Sequence, residues 1–194
     1  MNFEKLGIDG AWLVTSLVHS DSRGIFYEWF KQEKIKEATG LNFEVAQANI
    51  STSGKDVIRG IHYSLAEAGQ AKWVTCTSGH IIDVIVDIRP DSNTFKKVLQ
   101  VDLVAGDGYS VLIGAGLGHG FVSIEDGSTV SYILNSPYSP SDEFEINPFD
   151  SELSINWALN FDSGEGAILS PKDAQAPTLA DRLAQGKLPK LKQI

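Results

Sequence analysis

One stretch of the sequence concentrates side chains able to move protons or hold anions. Between Val57 and Val74, reading VIRGIHYSLAEAGQAKWV, stand Arg59, His62 and Lys72, set among strand-forming residues. Imidazole changes charge near neutrality, at about 6.5, and so suits acid–base work. An arginine and a lysine turned into an apolar interior are costly unless an anion meets them. The alternatives are therefore an anion site or two solvated surface charges. Along AKWVTCT, Lys72 shares a strand face with Val74 and Cys76, which turns it inward. Arg59 and His62, three residues apart, are expected on opposite faces unless Gly60 allows a bulge. His119 sits in AGLGHGF, where glycines permit close approach of backbone or ligand. His19 and His80 read as structural.

Other chemistries find little support. Cys76 is the only cysteine, so no intrachain disulfide or multi-cysteine metal cluster is possible. No His-x-His pair is followed by a nearby carboxylate, and three ligands would have to come from distant positions, so no metal is expected. Neither a Gly-x-Ser-x-Gly elbow nor a phosphate-binding glycine loop occurs. What remains is proton transfer by His, Tyr, Asp and Lys.

The elements that must position these groups read as strands. In His80 to Ile88, Ile82, Val84, Val86 and Ile88 share one face at period two. In Val98 to Val104, Leu99, Val101 and Leu103 oppose Gln100 and Asp102. Further apolar runs centre on AKWVTCT, YSVLI, GFVSI and TVSYIL, separated by RPDSNT, AGDG, EDGS and NSPYSP. Short strands about ten residues apart indicate a β-sandwich or barrel. Helix is expected only over Lys31 to Thr39, stopped by Gly40, and over Thr178 to Ala184, with Thr178 as N-cap and Gly186 as stop. The 194 residues contain no internal repeat or Pro/Ser-rich linker, so one all-β domain with small helical additions is predicted.

Composition narrows the partners. With 16 basic and 25 acidic residues the net charge is −9, which argues against nucleic acid but leaves small anions open. Only four arginines occur, Arg23, Arg59, Arg89 and Arg182, so their placement matters more than their number. No run approaches the ~18 apolar residues of a membrane span. MNFEKLGIDG lacks the pattern of a secretory signal, and the single cysteine fits a reducing, cytoplasmic setting.

The motifs VIRGIHYS, GQAKWV, HIIDVIVDIRPDSNTF, GHGF and SYILNSPY occur in this order. DSRGIFYEWF and VAQANIS precede them, and FDSELSINW and ILSPKD follow. This series resembles the dTDP-4-dehydrorhamnose 3,5-epimerases over nearly the whole chain. The resemblance implies a cupin-type double-stranded β-helix, a jelly-roll barrel with a few short helices, as one domain over residues 1–194. It implies a protein that is usually a homodimer, needs no metal or other cofactor, and acts on a dTDP-4-keto-6-deoxysugar. It makes His62 the general base, Tyr132 the proton donor, Asp173 the partner that orients His62, and Lys72 the neighbour of the C4 oxygen. Ligand contacts map onto Arg23, Phe26 and Glu28, in a segment that reaches the neighbouring subunit. Others map onto Gln47, Asn49, Arg59, His119, Tyr138, Glu143 and Lys172. Gln47 and Asn49, two apart on a strand, share a face by geometry alone.

The chemistry is coherent with those roles. Hydrogens on C3 and C5 are acidic because each carbon adjoins the C4 ketone, and deprotonation gives an enolate. Return of a proton from the other face inverts the centre. A positioned acid or base contributes about 10²–10⁴-fold. Lys72 would stabilise charge on the C4 oxygen, and Arg59 suits a diphosphate. Departures from the family pattern fall at Ser64, Gly114, Leu117, Gly118, Ile133 and Asn135; they remove no catalytic group and are expected to alter the surroundings of Tyr132. RGIHY, SYIL and TLADRLAQGKLP look closer to antibiotic deoxysugar relatives, some of which invert mainly one centre. A 3-epimerase is therefore the main competitor. A non-catalytic sugar-binding cupin and a C3/C4 ketoisomerase are more distant ones.

Overall fold

Alternating apolar residues become strands, and these pair antiparallel into two facing sheets. The computed structural model describes residues 1–158 and 166–191, so 159–165 and 192–194 of the expected 1–194 span lie outside the described residues. One sheet has six strands, in the order β1 (Asn2–Lys5), β2 (Ala11–Thr15), β10 (Tyr109–Ile113), β7 (Lys72–Ser78), β12 (Ser128–Leu134) and β5 (Gln47–Ser53). The other has five: β13 (Glu143–Glu145), β6 (Ile58–Ser64), β11 (Leu117–Ser123), β8 (His80–Asp87) and β9 (Val98–Val104). A two-stranded ribbon, β3 (His19–Asp21) with β4 (Gly24–Phe26), completes the β structure. From β5 to β13 the chain changes sheet at every step except the β8–β9 hairpin. That alternation is the jelly-roll arrangement implied by the family resemblance, within the sandwich or barrel class expected from the strand spacing.

The central strands β7, β8 and β11 are buried on both faces over most of their length, which explains the dense apolar patterning. Between them lie Val74, Cys76, Ile81, Ile85, Val111 and Phe121. Leu99, Val101 and Leu103 point into this interior, while Gln100 and Asp102 face solvent. The face of β8 that carries Ile82, Val84, Val86 and Ile88 is instead the outer one, covered by Leu153, Trp157 and Leu179. A third cluster seals the other outer face: Trp73 packs there with Val14, Ile35, Phe43 and Ile133, and its indole N–H donates to the Trp29 carbonyl at 2.9 Å.

Helix is marginal. α1 (Gln32–Thr39) buries only Ile35 and ends at Gly40, whose φ of 78° closes the turn onto the Lys36 carbonyl. α3 (Leu179–Ala184) starts at a capping box between Thr178 and Asp181. One helix was not anticipated. α2 (Pro171–Ala174) is a single turn, with Ser170 as cap and Pro171 in its first turn, both legible start signals.

Candidate active site

The site is built where β6 and β11 slip in register. His119 stands opposite His62, but Phe121 stands opposite Arg59, so two steps on β11 match three on β6. The irregularity falls at Gly60, with φ at 121°. A Cβ added there would lie 2.5 Å from the Gly120 Cα, so only glycine fits. The bulge cancels the opposition that period two predicts, and Arg59 and His62 line one cavity.

That cavity, of about 340 Å³, is lined by Gln47, Asn49, Arg59, His62, Lys72 and Tyr132, and by Tyr138, Glu143, Lys172 and Asp173. A second lobe of about 460 Å³ shares Arg59, His62, Lys72 and Tyr132 and adds His119. His62 projects from the five-stranded sheet and Tyr132 from the six-stranded one, so an imidazole and a phenol line the cavity from facing sheets. Lys72 lies beside Tyr132 on the same sheet: it pairs with Leu134, two residues along β12.

Each group is held by identifiable neighbours. His62 Nε2 is 2.7 Å from Asp173 Oδ1. Asp173 comes from α2 and is 3% exposed. Burial disfavours its ionisation, yet hydrogen bonds from His62, Ser170 and the Gly60 backbone outweigh that, and its carboxyl sits below the usual carboxylate range. Lys72 is buried, and desolvation pushes its ammonium below the ordinary lysine value against the pull of Glu143 and Asp83. Burial raises the Tyr132 phenol, opposed by Arg59 and by the neighbouring Asn49 side chain. Glu143 accepts from Gln70 Nε2 at 2.9 Å. Lys172 pairs with Glu145 at 2.9 Å, and Arg182 holds the other oxygen of that carboxylate at 3.0 Å.

Three expected residues lie elsewhere. Arg23 and Phe26 line a separate groove on the β3–β4 ribbon, where Arg23 pairs with Asp21 and its side chain is 87% exposed. Glu28 pairs with Lys31 at 3.3 Å. The departures from the family pattern also avoid the cavity, contrary to their expected effect on Tyr132. Ile133 points outward because neighbours on a strand alternate, Leu117 is in the interior core, and Asn135 accepts from the Ala71 amide at 2.6 Å. Neither Ser64, Gly114 nor Gly118 lines either lobe.

Sequence reasoning missed Asp83, Gln70 and Ser170. Asp83 Oδ2 lies 2.7 Å from His119 Nε2, making a further histidine–aspartate pair at the cavity, with the carboxylate fully buried. Its signal was a carboxylate inside HIIDVIVDI. Ser170 had its capping pattern and its place in ILSPKD, and Gln70 had its place in GQAKWV. Among the described residues, no three His, Cys, Asp or Glu side chains converge as a metal would need.

A family model described as dTDP-4-dehydrorhamnose 3,5-epimerase matches residues 5–181. A dTDP-4-dehydrorhamnose 3,5-epimerase of Mycolicibacterium smegmatis is 42% identical over 189 residues, 97% of this chain and 91% of that protein. A dTDP-4-dehydro-6-deoxyglucose 3-epimerase of a Streptomyces species is 40% identical over 184 residues, 95% of this chain and 92% of that one. Among solved structures, a 4-keto-6-deoxy sugar epimerase from the novobiocin gene cluster of Streptomyces spheroides superposes with a TM-score of 0.93. It is 37% identical, over 98% of this chain and 93% of that one. An imidazole and a phenol on facing sheets, in a fold and sequence matched over nearly the whole chain by epimerases, leave one assignment: the chain belongs to the dTDP-4-dehydrorhamnose 3,5-epimerase family of isomerases.

Proposed function

We propose that this chain epimerises dTDP-4-dehydro-6-deoxy-D-glucose at C3 and C5, giving dTDP-4-dehydro-L-rhamnose. The observation that carries the reading is the placement of His62, with Asp173 behind it, across the cavity from Tyr132, with buried Lys72 alongside. His62 takes the proton on C3 or C5, and the electron pair moves to the C4 oxygen as the enolate forms. Lys72, whose ammonium is desolvated, stabilises that oxygen most as its charge grows. Tyr132 then returns a proton to the opposite face of the same carbon, which inverts it. Asp173 fixes the ring orientation of His62 and stabilises its protonated form. Arg59 and Lys172 supply positive charge for the diphosphate, and Gln47, Asn49, His119, Tyr138 and Glu143 supply further contacts.

The same reading takes residues 1–194 as one domain, in a cytoplasmic homodimer. The exposed ribbon, with Arg23, Phe26 and Glu28, reaches the neighbouring subunit's cavity. Among the described residues no helix is long and apolar enough to cross a membrane. A single-centre 3-epimerase is the second reading, favoured by the Streptomyces 3-epimerase that matches 95% of this chain.

Incubation with the 4-keto-6-deoxyglucose nucleotide in deuterated water, followed by NMR, tests both. Deuterium with inversion at C3 and C5 is the expected result. Label and inversion at C3 alone selects the 3-epimerase. No exchange at either carbon overturns the enzymatic reading.

A further inference from the structure

His62 and Asp173 come from segments 111 residues apart, yet their side chains meet at 2.7 Å. Asp173 rides on α2, a single turn too short to be stable by itself. Lys172, the residue before it, supplies a second attachment. Its ammonium lies 2.9 Å from Glu145 Oε2. Glu145 stands on β13 directly opposite His62 on the β6–β13 ladder, and residues so opposed share a face of the sheet. Two consecutive side chains of α2 therefore land on one cross-strand pair, Asp173 on His62 and Lys172 on Glu145. Two attachments fix the roll of the turn, where one would leave it free to pivot.

Glu145 is itself locked from α3. Arg182 donates through Nη2 to Glu145 Oε1 at 3.0 Å and through Nε to the Glu145 backbone carbonyl at 2.9 Å. The planar guanidinium makes both bonds at once, so one rigid group grips the carboxylate and its backbone. The side chains of Glu145 and Arg182 are only 14% and 10% exposed. The guanidinium also lies over the Phe144 ring, 5.3 Å from its centre, and that ring stacks on Tyr63 beside His62. α3 is thus fastened to the strand that carries the imidazole. One ammonium hydrogen of Lys172 engages Glu145, and two remain for a ligand.

We propose that Glu145, locked by Arg182, is a positioning residue that holds α2 so that Asp173 meets His62. The inference rests on the reading of His62 as the base and Asp173 as its orienting partner. It gives a part in proton transfer to Glu145 and Arg182, which line neither lobe of the cavity.

Two substitutions test it. Glu145→Gln keeps an oxygen for Arg182 but turns an NH₂ group toward the Lys172 ammonium, donor against donor, and the second attachment is lost. Arg182→Lys leaves the carboxylate but cannot make both bonds, and it serves should the first variant fail to fold. Two readouts are independent of each other. In protein carrying nitrogen-labelled histidine, without substrate, NMR follows the ring N–H that His62 donates to the carboxylate, identified by its loss in Asp173→Asn. With the 4-keto-6-deoxyglucose nucleotide in deuterated water, kcat and KM for exchange follow deprotonation. We expect the His62 N–H to exchange with solvent at least about fivefold faster in both variants, kcat to fall about 10–100-fold, and KM to stay within about threefold. A raised KM with unchanged kcat would make Glu145 a holder of Lys172 for ligand alone, and overturns the proposal. So does a His62 signal unchanged from wild type, or a lowered melting temperature with normal kcat per folded molecule. Exchange absent from the wild type overturns the epimerase reading instead, while the ring N–H still tests the clasp. Undiminished exchange by Asp173→Asn overturns the orienting role, and the proposal with it.

Discussion

Lys72 shows how a single residue can lower stability for the sake of chemistry. Its ammonium is desolvated, which disfavours the charged form until an anion or a developing enolate meets it. Lys72→Met should therefore raise folding stability, by about 0.5–2 kcal/mol, while abolishing turnover. Urea denaturation beside the NMR assay checks both halves, and a loss of stability would show that the lysine is compensated in the free protein. Asp173 and Asp87 are the opposite case. Arg89, Ser92 and Thr94 outweigh burial at Asp87, as His62 and its companions do at Asp173, and both carboxyls sit below their usual range. A lowered carboxyl stabilises the fold fully above the unfolded value, about 3.9, and that contribution is lost as pH falls through the folded one. Urea midpoints should hold from neutrality down to about pH 5 and then drop, each proton taken up contributing up to about 1.4 kcal/mol per pH unit. Asp87→Asn should lower the plateau and flatten the acid limb.

At the level of elements, the β6 bulge matters most. A regular strand would send Arg59 and His62 to opposite sides of the sheet, and no arrangement elsewhere could return both to the cavity. Gly60→Ala forces a Cβ to within 2.5 Å of the Gly120 backbone at a φ of 121°. We expect a loss of at least about 1–3 kcal/mol, with a disproportionate fall in exchange as His62 leaves its place. Thermal melting and the deuterium assay separate the two effects. Trp73, by contrast, seals an outer face on the far side of the sheet from Lys72 and Tyr132. Trp73→Ala should cost about 3–5 kcal/mol in stability, yet leave activity per folded molecule near wild type at low temperature.

For the whole molecule, the ribbon is the open question of assembly. It carries Ile25 and Phe26 at 55% and 68% exposure, next to Leu17 at 69%. If Arg23 serves the cavity of a neighbouring copy, Arg23→Ala and His62→Ala, each nearly inactive alone, should complement when mixed and re-assembled. The hybrid dimer then has one site with both groups intact, so statistical mixing recovers about a quarter of wild-type activity. Recovery of nothing would place Arg23 outside the neighbouring site. The net charge of −9 belongs to this scale too. It describes the molecule as a whole, whereas Arg59, Lys72 and Lys172 gather at one cavity beside Glu143 and Asp173.

Much of this was legible in order and type. Period-two patterning located the central strands, because a strand buried on one face must alternate. It left open which face of β8 looks inward, since that strand is apolar on both sides. Gly40 and Thr178 marked helix ends through backbone conformation and capping, which are local effects. The family motifs named the cavity residues one by one, and the turn of His62 toward Asp173 waited on two segments 111 residues apart. Sequence alone settled what depends on near neighbours: strand period, turn chemistry, and the kinds of side chain available for proton transfer. Tertiary structure decided what depends on register and on which faces meet. It set the slip that unites Arg59 with His62 and the opposition of His62 and Tyr132. Hydrogen bonds across strands act between residues distant in the chain, and no local preference encodes them.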